Sequence, residues 1–289
     1  MKIKFIVNPI SGNGKQKDIE SLINKYLDKE KFDFDISITE RSLHAAEICK
    51  TAIDNKYEAI IAVGGDGTIN EICGELIGTD IALGIIPAGS GNGLAFHFGI
   101  NRKISESIKQ LNTSQIKIVD SCTANGIPFV NVSGIGFDAH IANLFHHLTK
   151  RGFRNYIKLI FKEINYKPKK YIIKYDGKTR EVKALLISFA NATQYGNNFR
   201  ISPKSEIDDG LIDFVIVRNM PKIKIPQFLL KIARGKVNSS EYVEIIQTKE
   251  MEIISDERII HLDGEPHEIN NNVIVKNNPK SLKVLIPNG

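Results

Sequence analysis

The sequence predicts two domains of different class: an N-terminal parallel α/β domain and a C-terminal antiparallel β-sandwich. Three observations predict it. Before about residue 116, short apolar runs alternate with helical patterns, the mark of a parallel sheet. After it, strands pair around Asn-Gly and Asp-Gly turns, the mark of antiparallel hairpins. The length, 289 residues, suits two cores better than one. The expected boundaries are 1–120 with about 277–289 for the α/β domain, and 121–276 for the sandwich.

Taken in order, Lys2 to Val7 reads as a strand that ends in Asn8-Pro9-Ile10-Ser11-Gly12-Asn13-Gly14-Lys15. A helix follows, with Ile19, Leu22, Ile23, Tyr26 and Leu27 on one face. Phe34 to Thr39 is a second strand and Ser42 to Ile53 a second helix. Ala59 to Val63 is a buried strand, and the pattern from Ile69 to Leu76 is helical. Asp80 to Pro87 is the next strand, ending in Ala88-Gly89-Ser90-Gly91-Asn92-Gly93 before further helical residues.

The hairpin region begins with Ile116 to Ala124 and Ile127 to Val132 around Asn125-Gly126. Ala139 to Leu148 and Tyr156 to Ile164 look helical. Tyr171 to Tyr175 and Val182 to Ala190 pair around Asp176-Gly177. Leu211 to Val217, Tyr242 to Gln247, Met251 to Ser255 and Ile259 to Leu262 are further strands. A final strand, Leu282 to Ile286, is expected to return to the first domain.

The stretch Gly64-Gly65-Asp66-Gly67-Thr68-Ile69-Asn70-Glu71 sits at a strand-to-helix turn. Glycine lets the backbone turn sharply and bring N–H groups close to an anion. Thr68 and Glu71 have the spacing of a capping box. The helix N-terminus adds a partial positive charge, so a phosphate is the natural occupant, and Asp66 could hold a cation against it. A tight turn without a ligand is the alternative. In a parallel sheet, the loops Asn8 to Gly12, Thr39, Gly64 to Thr68 and Gly89 to Asn92 gather at the carboxyl edge, where ligands of open α/β sheets bind. No loop reads as a P-loop or a dinucleotide fingerprint.

The net charge is +6 with a pI near 9.0. Residues 150–183 hold twelve Lys/Arg against three Asp/Glu. That segment suits an anionic membrane surface or a polyphosphate; a solvated face is the alternative. Phe153, Tyr156, Ile157, Ile160 and Phe161 lie among those charges, as on an interfacial helix. No nucleic-acid recognition motif is present. No stretch reaches the roughly 18 apolar residues of a membrane span, and Met1 to Val7 is too short an apolar run for a signal peptide. Cys49, Cys73 and Cys122 lack metal-ligand spacing, so a reduced cytoplasmic chain is expected.

Three clusters mark the second half. Ile135-Gly136-Phe137-Asp138-Ala139 is either a turn with a capping Asp or part of a site. Ser202 to Leu211, with Glu206 and Asp209, is either a plain turn or a loop holding Mg²⁺ or Ca²⁺ through oxygen ligands. In His261-Leu262-Asp263-Gly264-Glu265-Pro266-His267, strand alternation puts His261, Asp263 and Glu265 on one face, where two carboxylates could share a metal and a proton. The alternative is a hairpin turn at Asp263-Gly264. Zinc on His261 and His267 lacks a nearby third His or Cys.

Read together, these motifs resemble the diacylglycerol kinase-like lipid kinases. The resemblance rests on Asn8-Pro9-x-Ser11-Gly12, Gly64 to Thr68, Pro87-x-Gly89-Ser90, Gly136-x-Asp138-Ala139, Asp209-Gly210-Leu211 and Asp263-Gly264-Glu265, in the family's order over nearly the whole chain. NAD kinases and phosphofructokinases share the Gly-Gly-Asp-Gly loop and a related first domain. Gly89-Ser90-Gly91-Asn92 is similar to sphingosine kinases, where bacterial diacylglycerol kinases have Gly-Thr-x-Asn-Asp. Gly196-Asn197-Asn198-Phe199 replaces a glycine run common in the family.

The resemblance implies an ATP-dependent lipid kinase. ATP phosphates would lie on Asn8, Pro9, Ser11, Gly12, Thr39, Gly64, Gly65, Asp66, Gly67, Thr68, Asn70, Glu71, Gly89 and Ser90. Asp66 would help place Mg²⁺ or the phosphates, Asp263 would be the general base, and Glu265 would help hold the catalytic Mg²⁺. Glu206, Asp209 and Leu211 would hold a structural Mg²⁺, and Asp138 would meet the substrate. The acceptor is diacylglycerol or a related glycerolipid or sphingoid base, reached by peripheral membrane contact; a homodimer stays open. The rival readings are a kinase for NAD or another soluble substrate, and a non-catalytic lipid-binding protein.

Overall fold

A computed structural model of the chain describes residues 1–13, 18–148 and 152–288. Gly14 and Lys15 of the first loop, Lys150 and Arg151 of the basic segment, and the Phe153 side chain lie outside the described residues. Contacts divide the chain into two compact units, Met1–Val119 with Lys280–Gly289, and Asp120–Pro279.

The first unit runs β1 (Lys2–Val7), α1 (Ile19–Tyr26), β2 (Asp33–Ile38), α2 (His44–Asp54), β3 (Ala59–Gly64), α3 (Asp66–Leu76), β4 (Ala82–Pro87), α4 (Gly93–His97) and α5 (Ile104–Leu111). The strand β5 (Gln115–Ala124) then leads into β6 (Ile127–Phe129), β7 (Val132–Gly136), α6 (Phe137–His146) and α7 (Phe153–Lys162). The second unit continues with β8 (Lys169–Tyr175), β9 (Lys178–Ala184), β10 (Leu186–Ala190), β11 (Ile212–Val217) and α8 (Ile225–Ala233). It closes with β12 (Val243–Thr248), β13 (Glu250–Ile254), β14 (Ile259–Leu262), β15 (Glu265–Glu268) and β16 (Asn272–Ile286), whose last residues belong to the first unit.

The strands of the first unit are parallel in the order β2-β1-β3-β4. The end of β16 adds a parallel neighbour to β4, with Lys283 opposite Ala82. Every residue of β3 and β4 is buried. Helices cover both faces of such a sheet, which is why these strands read as unbroken apolar runs. The parallel order brings the ends of β1, β3 and β4 to one sheet edge, with the glycine loops on it.

The second unit is a sandwich. One sheet is six-stranded and antiparallel, in the order β12-β11-β10-β7-β14-β15. Facing it, β8, β9, β13 and the first half of β16 pair antiparallel. Phe129, Phe189 and Phe214 stack between the two, with ring centroids 6.4 and 5.9 Å apart. Ile135, Tyr171, Met251 and Val273 complete this core. The alternate residues Val215 and Val217 point the other way, onto Phe228 and Ile232 of α8, with Ile157 of α7 packed against them. Both faces of β11 are therefore buried, one in the sandwich and one under helices.

Two expected strands divide. Ile127 to Val132 becomes β6 and β7, separated at Val130 and Asn131. Val182 to Ala190 becomes β9, which pairs with β8, and β10, which pairs with β7 and β11 in the other sheet. Leu185 makes the crossing: its N–H donates to the Val217 carbonyl, and its carbonyl accepts the Phe137 N–H. The hairpin pattern predicts no helix at 225–233, where α8 starts across Pro226. Proline is tolerated in a first helical turn because its missing N–H has no intrahelical partner there. No helix among the described residues is long and apolar enough to cross a membrane. Cys49, Cys73 and Cys122 are buried and not in disulfides.

Phe189 is fully buried between two other rings. Phe189→Ala is expected to cost about 3–5 kcal/mol, read as a lower urea midpoint in chemical unfolding followed by circular dichroism.

Candidate active site

In the first unit, three loops are tied to one another. The Asn8 side chain donates to Thr68 Oγ1 at 3.0 Å and accepts the Ile10 N–H at 3.1 Å. Ser11 Oγ donates to the Asn8 carbonyl at 2.9 Å, and Gly12 follows at φ 56°. Pro9 is exposed; Thr39 is buried, and its N–H donates to the Val7 carbonyl at 2.8 Å. Asp66 uses both carboxylate oxygens on the start of α4. They accept the Asn92 N–H at 2.7 Å and the Gly93 N–H at 3.0 Å. Asn92 returns a bond to the Gly64 carbonyl at 3.0 Å. A Cβ on Gly89 would lie 2.5 Å from Gly65 Cα, so only glycine passes glycine here.

The capping box is not formed. α3 starts at Asp66, with Gly65 as N-cap and no side-chain cap. Thr68 therefore lies in the first turn, against Gly64. Glu71 instead accepts the N–H groups of Leu43 and Ala45 at 3.1 Å each, at the start of α2. The cause is the extended Gly65, after which the helix starts at Asp66, two residues before Thr68. An uncapped N-terminus beside two touching glycines fits a phosphate. Gly67 and Asn70 lie half-buried in α3, and Ser90 is exposed. Asp66 serves as a clamp between loops.

In the second unit, Asp263 sits at φ 49° in the turn between β14 and β15. Its carboxylate accepts the N–H groups of Val130 and Asn131, both at 2.9 Å, and its own N–H donates to Ser133 Oγ at 3.1 Å. The expected common face of His261, Asp263 and Glu265 is not formed, because the hairpin turns at Asp263 and breaks the alternation. His261 lies opposite Pro266, and Glu265 opposite Leu262. Glu265 pairs with His146 Nδ1 at 2.9 Å. As arranged, Asp263 and Glu265 have separate partners and do not fit a shared metal.

Glu206 and Asp209 are exposed and Leu211 is half-buried. The Leu211 N–H donates to Asp209 Oδ1 at 2.9 Å, and the Gly210 N–H to Asp120 Oδ2 at 2.7 Å. Burial, then the charges of Asp213, Asp120 and Glu206, raise the Asp209 carboxyl above its ordinary range, against the lowering effect of the Leu211 N–H. That acidic crowding fits a hard cation completed by carbonyls and water. No group of three or more His, Cys, Asp or Glu among the described residues converges on a metal position.

Asp138 is the best-buried carboxylate of the candidate set, 5 % exposed. Two glycines make its place. Gly136, at φ 97°, turns β7 into α6, and a Cβ there would meet Tyr171 Oη at 2.6 Å. A Cβ on Gly134 would lie 2.1 Å from Asp138 Oδ2. That oxygen accepts from Ser188 Oγ at 3.0 Å and Tyr195 Oη at 3.2 Å, while Oδ1 accepts the Ala139 N–H at 2.9 Å. The Gly264 N–H donates to His261 Nδ1 at 3.2 Å. The ring proton of neutral His261 therefore sits on Nε2, which is 3.3 Å from Asp138 Oδ2 but not aligned for a hydrogen bond. Burial and the Asp138 charge raise Tyr195 well above its ordinary range, which keeps it a donor.

Asp138 and Tyr195 line a cavity of about 650 Å³. Its other walls come from α7, β11 and α8, and are mainly apolar, among them Ile160, Phe199, Phe228 and Ile232. Asn165 and Lys222 bond to one another at its border. Of these features the sequence signalled only Asp138. Ser188 and Tyr195 belong to no motif: Ser188 lies opposite Gly134 because β7 and β10 are neighbours, and the segment after β10 brings Tyr195 to the same carboxylate.

The family model of the diacylglycerol kinase catalytic domain matches residues 2–124. The model of the YegS C-terminal NAD kinase beta sandwich-like domain matches residues 131–286. The chain belongs to the diacylglycerol kinase-like lipid kinase family. It is 29% identical to a Chromohalobacter salexigens protein named "Probable lipid kinase YegS-like", over 80% of this chain and 77% of the relative. It is 26% identical to a diacylglycerol kinase of Mycobacterium tuberculosis, over 91% of this chain and 88% of the relative. A crystal structure of a diacylglycerol kinase from Bacillus anthracis shares the fold, with a TM-score of 0.77, 24% identity and coverage of 99% and 97% of the two chains.

Gly89→Ala is expected to push the two glycine loops apart and weaken nucleotide binding about tenfold or more, measured by calorimetric titration with a non-hydrolysable ATP analogue. Gly134→Ala is expected to leave that affinity unchanged while displacing the Asp138 carboxylate.

Proposed function

We propose that the chain is an ATP-dependent lipid kinase that transfers the γ-phosphoryl group to a lipid hydroxyl, of diacylglycerol or a related glycerolipid or sphingoid base. The observation that carries this reading is the cavity of about 650 Å³, apolar along its walls and bearing a buried carboxylate and tyrosine. A soluble acceptor such as NAD has no need of such walls. The chain's own loops supply the other half. The uncapped start of α3 and the glycine contact with Gly89 hold nucleotide phosphates.

Asp263 acts as the general base. The N–H groups of Val130 and Asn131 fix the orientation of the carboxylate. It takes the proton as the acceptor oxygen attacks the γ-phosphorus, and ADP leaves. Base catalysis of this kind contributes typically about 10²–10⁴-fold, and positioning and charge neutralisation the rest. Mg²⁺, when bound, neutralises phosphate charge, and a structural ion would sit at the Asp209 loop.

The protein works at a membrane surface. Ile223 is 85% exposed between Lys222 and Lys224, and Leu230 of α8 is also exposed. Phe161 is exposed on α7 beside Lys158 and Lys162. Both helices line the cavity, so apolar and cationic groups meet an anionic bilayer where a lipid must enter.

A radiolabelled ATP assay over diacylglycerol, monoacylglycerol, sphingoid bases, phosphatidylglycerol and NAD is expected to label a lipid and spare NAD. Label in NAD alone would overturn the reading; tight lipid binding without transfer would favour a sensor. Asp263→Ala is expected to lower the turnover number at least about 100-fold with ATP affinity unchanged. An unchanged rate would remove Asp263 from the role of base. Ile223→Glu is expected to reduce co-sedimentation with anionic vesicles while sparing turnover on a detergent-dispersed acceptor.

A further inference from the structure

We infer that the cavity of the second unit takes one long hydrocarbon chain, so that the preferred acceptor is a single-chain lipid alcohol and not a diacylglycerol. The inference rests on the lipid-kinase reading and narrows its substrate class. Volume carries it first. An apolar cavity of about 150 Å³ accommodates benzene, or about 25 Å³ per carbon, so about 650 Å³ holds about 26 non-hydrogen atoms. By the same packing, a glycerol ester of one 18-carbon chain has about 25 such atoms and fills the space. A diester of two 16-carbon chains has about 40, and one chain would be left outside.

The distribution of polar groups carries it second. Asp138 is buried, and the Tyr195 hydroxyl is bonded to it. They offer one internal position for one polar headgroup. Glu163 and Tyr166 also line the cavity, half-buried and engaged with His140 and Glu257, as does half-buried Tyr156; Asn165, Lys167, Asn219 and Lys222 are exposed and mark the rim. Between rim and headgroup the walls are continuous side chains of α7, α8 and β11, packed as a core on their far sides. Phe228 and Ile232, which line the cavity, are buried in that core. The shared chemistry of the acceptor is a hydroxyl-bearing head on one chain, which a monoacylglycerol and a sphingoid base both supply.

The test uses the full chain and a fluorescent 18-carbon polyene alcohol as probe. The expected result is saturable binding of one equivalent. A monoacylglycerol or a C18 sphingoid base displaces it, whereas a dioleoyl diacylglycerol needs at least about tenfold more. Leu229→Trp, which narrows a half-buried part of the wall, is expected to lower affinity for 18-carbon chains and spare 12-carbon ones. Met220→Trp repeats the test from another wall, and an unchanged melting temperature certifies each fold. Equal or better displacement by diacylglycerol, or no probe binding, would overturn the inference. The kinase panel separates the two claims. One-chain binding without transfer to any lipid sinks the kinase reading alone. Transfer to diacylglycerol as efficient as to monoacylglycerol sinks the one-chain inference alone.

Discussion

A carboxylate that accepts two backbone N–H groups from one short segment is the interaction on which both candidate centres depend. Asp66 holds Asn92 and Gly93 in the first unit, and Asp263 holds Val130 and Asn131 in the second. In each case a loop without regular structure is fixed by charge-assisted bonds, which are shorter and stronger than neutral ones. Glu71 repeats the device at the start of α2. The consequence is preorganisation. In the first unit the glycines are held in contact and a helix N-terminus is left uncapped for an anion. In the second, a turn residue is locked with its carboxylate oriented.

The second unit keeps an apolar space open inside a folded protein. The sandwich buries one face of the six-stranded sheet in its own core, and α7 and α8 cover the other. Helices packed on a sheet through Phe228, Ile232 and Ile157 leave a gap between themselves and the strands, and that gap is the cavity. Asp138 stands inside it because Gly134 and Gly136 remove the two side chains that would clash there. A buried carboxylate is costly unless it is hydrogen-bonded. Ser188, Tyr195 and the Ala139 N–H meet that requirement.

Much of this was legible beforehand where physics is local. β1, β3 and β4 follow from unbroken apolar runs, and the Asn125-Gly126 and Asp176-Gly177 turns from residues that tolerate positive φ. The capping box failed because Thr68 satisfies the spacing rule but the helix begins at Asp66. The shared face of Asp263 and Glu265 failed because alternation was carried through a turn. α8 was not foreseen. Ser188 and Tyr195 had no local signal, since strand pairing brings one to Asp138 and the course of the segment after β10 brings the other.

The sequence by itself determined the class of each half, the positions of the glycine loops and the set of candidate carboxylates. Those features depend on backbone freedom and on short-range periodicity, which neighbouring residues decide. Only the tertiary structure decided what each carboxylate holds. It also decided that Glu265 answers to His146 and that residues from α6, α7, β10, β11 and α8 surround one apolar space. Partners tens of residues apart are chosen by strand pairing and packing, and no stretch of chain records that choice.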